Sequence, residues 1–242
     1  MTARAGHFSA QQDSMLSGEV RRSMSGVTTL RSHIDHIVLT APSLEIGVAY
    51  VRDALGVTPE TGGKHPRMGT HNCLLRLGDS LYLEVISIDP AAGNPDRQRW
   101  FQLDLERSNA APRLATWISR TNDICAATAA AMVPLGNIEA MSRGPFKWHI
   151  TVPANGTLPL DGVAPTLIEW EPDSHPAETL KDFGCALVRL EGFHRQSAEI
   201  LNMLQSIGFQ GPFTVSPISP EESPRLVAYV QTPAGMRQLR TP

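Results

Sequence analysis

The sequence predicts an α+β fold of tandem βαβββ modules, with a further βαβββ-like module at the C-terminal end. Three observations carry that prediction. Residues 32–89 read as strand, helix and then two or three strands. Residues 114–171 repeat the pattern, and a shorter strand–helix–strand run follows residue 176.

In the first module, Ile34, His36, Val38 and Thr40 share one face of a strand, with Ile37 and Leu39 on the other. Leu44 to Leu55 is helical. Leu44, Val48, Val51 and Leu55 form one apolar stripe, Ser43 is the expected N-cap, and Gly56 the expected stop. His71–Leu77 and Leu81–Ile88 are strands separated by Gly78-Asp79, a hairpin signal. The turn-rich stretch 90–112 carries Arg99-Trp100-Phe101 and is expected to pack its two aromatics on the sheet. In the second module, Leu114–Arg120 is a strand, and Asp123–Met132 an alanine-rich helix capped by Asn122 or Asp123. Ile138–Arg143, Phe146–Val152 and Thr166–Glu171 are the remaining strands. The third unit contains strands at Cys185–Leu190, Pro212–Val215, Arg225–Gln231 and Arg237–Arg240, with a helix at Ser197–Ile207. The expected domains are therefore a disordered tail over 1–30, a paired-module domain over 31–176 (modules 32–89 and 114–171) and the unit 177–242. That last unit would cover a sheet edge or pair with another subunit's sheet in a homodimer.

Composition narrows the function classes. With 41% hydrophobic and 19% charged residues, the chain is ordinary for a globular protein. A net charge of −3, scattered basic residues and sparse aromatics argue against a nucleic-acid partner. No apolar run reaches the roughly 20 residues of a membrane helix, and residues 1–30 lack the apolar core of a secretory signal. Cys73, Cys125 and Cys185 are odd in number and far apart, as expected of reduced thiols in a cytoplasmic protein.

The runs HIVL at 36–39, YLEVI at 82–86 and GTHN at 69–72 resemble the vicinal-oxygen-chelate superfamily of glyoxalases, extradiol dioxygenases and bleomycin- and fosfomycin-resistance proteins. With RWFQLD at 99–104, SRGPFKWHIT at 142–151 and DGVAPTLIEW at 161–170, they look like a particular glyoxalase-like domain family within it. The resemblance implies one cupped mixed sheet around a cavity, with the first and fourth strand of each module side by side and their cavity-facing residues as metal ligands. His36 and Glu84 fall on those positions, and Glu169 takes in module two the place of Glu84. The implied cofactor is a divalent ion (Fe, Mn, Ni or Zn), and the implied partner a small-molecule substrate with vicinal oxygens, acted on by a lyase, isomerase or dioxygenase. The alternative is a sequestering protein that binds a small molecule without turnover.

Each candidate also has a plainer reading. His36 is a ligand or a hydrogen-bonded core histidine. Glu84, on an otherwise apolar strand, needs a metal or an arginine such as Arg76 or Arg143. Glu169 is a ligand, a general base or a salt-bridge partner of Arg143; His149 is a ligand, an acid–base group, a substrate contact or a partly exposed strand residue. His71 and His65 are expected at a strand start and in a solvated loop. The first strand of module two, LATWISR, offers Thr116 and Ser119 but no histidine, so a four-ligand site is incomplete in the sequence.

Overall fold

The computed structural model describes residues 1–2, 29–105, 109–171 and 175–240. The expected tail over 1–30 thus lies almost wholly outside the described residues.

Module one is β1 (Ser32–Thr40), α1 (Leu44–Leu55), β2 (Glu60–His65), β3 (Thr70–Gly78) and β4 (Leu81–Ile88). The helix is bounded as the sequence dictates. The Ser43 side chain accepts from the Ile46 N–H, and Gly56 closes the helix at φ 74°, where a residue without Cβ is unstrained. Module two is β5 (Arg113–Thr121), α2 (Ile124–Ala130), β6 (Asn137–Arg143), β7 (Phe146–Val152) and β8 (Thr166–Trp170). Asp123 caps α2 through the Ala126 N–H, 2.8 Å away.

The eight strands form one mixed sheet in the order β2-β3-β4-β1-β5-β8-β7-β6. β1 and β5 pair antiparallel at its centre, each flanked in parallel by the fourth strand of its own module. The order is therefore two mirrored halves, as expected, and the sheet is cupped. Its two outer strands, β2 and β6, meet again across the open side. Arg67, just after β2, donates to the Ala140 carbonyl at 3.0 Å and pairs with Glu139, to which Arg97 also donates at 3.0 Å.

α1 and α2 pack on the convex face. Gly47 of α1 lies so close to β4 that an added Cβ would sit 2.5 Å from Val85 Cγ1. After a short helix α3 (Pro176–Thr179), the chain adds β9 (Ala186–Phe193), α4 (Ser197–Ser206), β10 (Phe213–Ser216), β11 (Arg225–Thr232) and β12 (Gly235–Arg240). These four strands form a second sheet, ordered β10-β9-β11-β12. It contacts β3, β5 and α1, so it covers the convex face of the large sheet. One apolar core joins Ile37, Leu39, Leu83, Trp117 and Leu167 to Leu190, Met203, Ala228 and Leu239. A second core, with Val38, Ile86, Ile118, Trp148 and Ile168, lies on the concave side and forms the wall of the cavity. Among the described residues, no helix is long and apolar enough to cross a membrane.

Candidate functional site

The concave face is organised around one irregularity in β1. The register with β5 runs Ile34↔Ser119 and then His36↔Ile118, which leaves Asp35 as an extra, unpaired residue. A bulge of this kind re-aims side chains. Asp35 and His36, adjacent in sequence, both meet the same cluster on the concave side. Asp35 is fully buried, and its carboxylate accepts from His36 Nδ1 at 2.6 Å, His175 Nε2 at 3.1 Å and Trp170 Nε1 at 2.9 Å. The Arg120 guanidinium lies 3.6 Å away. Burial by itself would raise the Asp35 pKa. The hydrogen bonds from His175 and His36 outweigh it and hold the carboxyl well below the usual carboxylate range. An ionised Asp35 fixes its neighbours' tautomers. His175 Nδ1 accepts the Ala177 N–H at the start of α3, so its Nε2 carries the proton given to Asp35. His36 likewise donates from Nδ1 and presents Nε2 to the cavity.

His36 Nε2 faces Glu84 Oε2 at 3.7 Å, beyond a hydrogen bond, with both side chains buried. Glu84 is held from its other oxygen by Asn72 Nδ2 at 2.6 Å. Asn72 is in turn held by the Gly63 N–H, which donates to its Oδ1 at 2.8 Å. The Gly62-Gly63 pair on β2 makes this approach possible. A Cβ at Gly62 would stand 2.1 Å from Asn72 Oδ1, and one at Gly63 2.8 Å from Arg143 Cδ. The Tyr82 ring stacks on His36 with centroids 4.5 Å apart.

The cavity above this pair is narrow and opens to solvent, with about 20 Å³ of internal room. Its walls are Trp100, Phe101, Trp148, Ile150, Ile168 and Trp170, with His65 and Arg143 as further polar members. A roomier outer hollow, with about 200 Å³ of internal room, shares His65, Trp100 and Trp148 with it and adds Arg67, Met141 and Ser142. Phe101 is held at φ 57° and Gln102 at φ 59°, a backbone region costly for residues other than glycine. The segment is clamped there. Asp104 accepts from the Arg99 backbone and guanidinium, both at 2.6 Å, and the Gln102 N–H donates to the Gly156 carbonyl at 2.9 Å.

The structure brings His36 and Glu84 together and leaves Glu169 and His149 elsewhere. On β7 and β8 it is Trp148, Ile150, Ile168 and Trp170 that line the cavity. His149 is exposed and pairs across the ladder with Glu169 on the other face. Glu169 accepts from the Ile124 N–H at 2.7 Å, at the start of α2. His65 corrects a second expectation. It ends β2 rather than lying in a loop, is buried against Trp100 and Trp148, and bonds Thr70 Oγ1 at 3.1 Å. Burial pushes its pKa down to about 4, so it is neutral at pH 7. His71 is half-buried on β3. Sequence reasoning missed Asp35 and His175, whose positions depend on a bulge and a distant segment. The signal available was the pair Asp35-His36 itself, two polar residues in succession on an apolar strand.

His36 and Glu84 are one imidazole and one carboxylate. Among the described residues, no group of three or more His, Cys, Asp or Glu side chains converges as a metal site. The outer partner of His36 is of the kind that metal-bound histidines have, but two donors fall short of the three that resident metal centres ordinarily use. The residues therefore do not fit a tightly held ion.

Residues 34–208 match the family model described as a glyoxalase-like domain. No curated protein matches the chain. Among solved structures, a hypothetical protein from Staphylococcus aureus overlaps with a TM-score of 0.53 at 14% identity, covering 78% of this chain and 86% of that one. The fold is thus shared. A Mn(II)-bound glyoxalase from Novosphingobium aromaticivorans (TM-score 0.46, 8% identity, 86% and 81% covered) and a methylmalonyl-CoA epimerase from Mycobacterium tuberculosis (0.40, 15%, 58% and 88%) overlap too loosely to carry an argument about chemistry.

Proposed function

The chain belongs to the glyoxalase-like domain family of the vicinal-oxygen-chelate superfamily, and from that footing we propose that it is a small-molecule enzyme that moves a proton next to an oxygen-bearing carbon. The observation that carries this reading is the buried line Asp35–His36–Glu84 at the floor of an aromatic cavity. Asp35 keeps the proton of His36 on Nδ1, so Nε2 is free to accept one from substrate, and the adjacent carboxylate stabilises the imidazolium that forms. Glu84, fixed by Asn72, stands 3.7 Å from His36 Nε2, too close for an atom to lie between them, so a substrate or water oxygen would meet both from the cavity side. The aromatic walls exclude bulk water and so strengthen these interactions. Glu169 and His149, on the other face, have no part in this chemistry.

The test is proton–deuterium exchange, followed by NMR, on a panel of small 2-oxo and 2-hydroxy carbonyl compounds. The wild-type protein should exchange the carbon-bound proton of at least one. His36→Gln should lower that rate by about 10²-fold or more, and Asp35→Asn should lower it by disturbing the His36 tautomer. Exchange that survives His36→Gln would sink the reading. Elemental analysis decides the metal-dependent version, in which His36 and Glu84 would be the protein's two donors. About one Fe, Mn, Ni or Zn per chain, lost in both His36→Ala and Glu84→Ala, would replace the acid–base account.

A further inference from the structure

Five arginines around the large sheet lie against acids. Arg67 and Arg97 pair with Glu139, Arg76 with Asp79, Arg99 with Asp104, and Arg120 lies against Asp35. Arg143 is different. It lines the cavity, is half-buried, and makes no ion pair or side-chain hydrogen bond among the described residues; its guanidinium lies 5.7 Å from the Phe146 ring centroid. Its stem crosses the seam between β6 and β2 by lying on Gly63, where any larger residue would displace it. A cation without a counter-ion calls for oxygen acceptors carrying negative charge. Apart from His36, His65 and Glu84, the rest of the wall is aromatic or aliphatic, so the body attached to that anion is apolar.

We propose that Arg143 forms a carboxylate subsite, so that the cavity takes a small monoanion with an apolar or aromatic body. This deepens the proposed function by naming the substrate class, and it rests on the cavity assigned there. A carboxylate fits better than a dianionic phosphate because Glu84 lines the same cavity and repels a second negative charge. The guanidinium fork supplies two parallel N–H donors to the two carboxylate oxygens.

Calorimetric titration of the full-length protein with benzoate, benzamide and phenyl phosphate at neutral pH tests this. Benzoate should bind about tenfold or more tightly than benzamide, its neutral counterpart of nearly equal shape. Arg143→Gln should abolish that preference, and Arg143→Lys should keep part of it. Equal binding of benzoate and benzamide by the wild-type protein, a comparison that needs no variant to fold, overturns the proposal. So does a benzoate preference that survives Arg143→Gln. Phenyl phosphate binding more tightly than benzoate overturns the carboxylate assignment. His36→Gln should retain benzoate binding. A wild-type protein that prefers benzoate through Arg143 but exchanges no substrate proton therefore refutes the enzymatic reading and leaves the subsite standing.

Discussion

His65 shows how a residue type misleads without its neighbours. A histidine followed by proline after two glycines reads as solvated, yet the ring is buried beside Trp100 and held neutral. The burial has a consequence for pH. The folded protein binds a proton at His65 only near pH 4, whereas the unfolded chain binds it near 6.5. Between those values the unfolded state holds more protons, so stability falls as the pH is lowered through this window. His33, at the exposed side of β1 and also lowered chiefly by loss of solvation, adds to the loss with the same sign, while Asp35 contributes only below the ordinary carboxylate pKa of 3.8. Urea unfolding of the wild type should therefore lose about 3 kcal/mol between pH 7 and pH 4, and His65→Asn should flatten most of that slope. A wild-type stability that is level across this range would contradict the burial of a neutral imidazole. Asp35 teaches the complementary lesson. Its three donors come from β1, β8 and the start of α3, and no local pattern joins residues 36, 170 and 175.

Elements with a clear period were legible from the sequence. α1 and β4 have the limits that alternation, capping and the glycine stop dictate, and β7 spans the expected residues. β2 was not resolved as a separate element, because ETGGKH is polar, glycine-rich and without alternation. It is ordered by β3 beside it and by a register shift between Thr61 and Lys64. At β7 and β8 the structure places the candidate residues away from the cavity. Alternation gave which residues share a face, but not which face is concave, and the expectation of a polar site chose His149 and Glu169 over the tryptophans beside them. The position of Glu169 is itself informative. It receives the Ile124 N–H beside the Asp123 cap, so the acid sits at the positive end of α2. Glu169→Ala should cost about 1 kcal/mol in denaturant unfolding and leave benzoate binding unchanged. A loss of ligand binding with unchanged stability would return Glu169 to the cavity's chemistry.

At the scale of the whole molecule, the C-terminal sheet is part of the main core rather than an appendage. Trp117 of β5 is fully buried, with Phe209 and Phe213 at centroid distances of 5.2 and 4.7 Å, and its indole N–H donates to the Val163 carbonyl at 2.9 Å. A chain ending at residue 176 would leave this convex face bare, an exposed apolar patch of the kind that drives association. Size-exclusion chromatography should show such a chain aggregated; a folded, monodisperse monomer would instead make 31–176 an independent domain. The seam between β2 and β6 has a kinetic counterpart. It joins Gly63 to Arg143, about 80 residues apart, and no backbone ladder links the two strands. Local hairpins and the central β1–β5 pairing can form before it, whereas the seam has no geometry until both halves have curled. Its side-chain links then belong to the late, downhill side of the folding barrier, where they leave the rate of folding alone and slow the rate of opening. Arg143 thus ties the lifetime of the closed cup to the same residue that gives the cavity its charge.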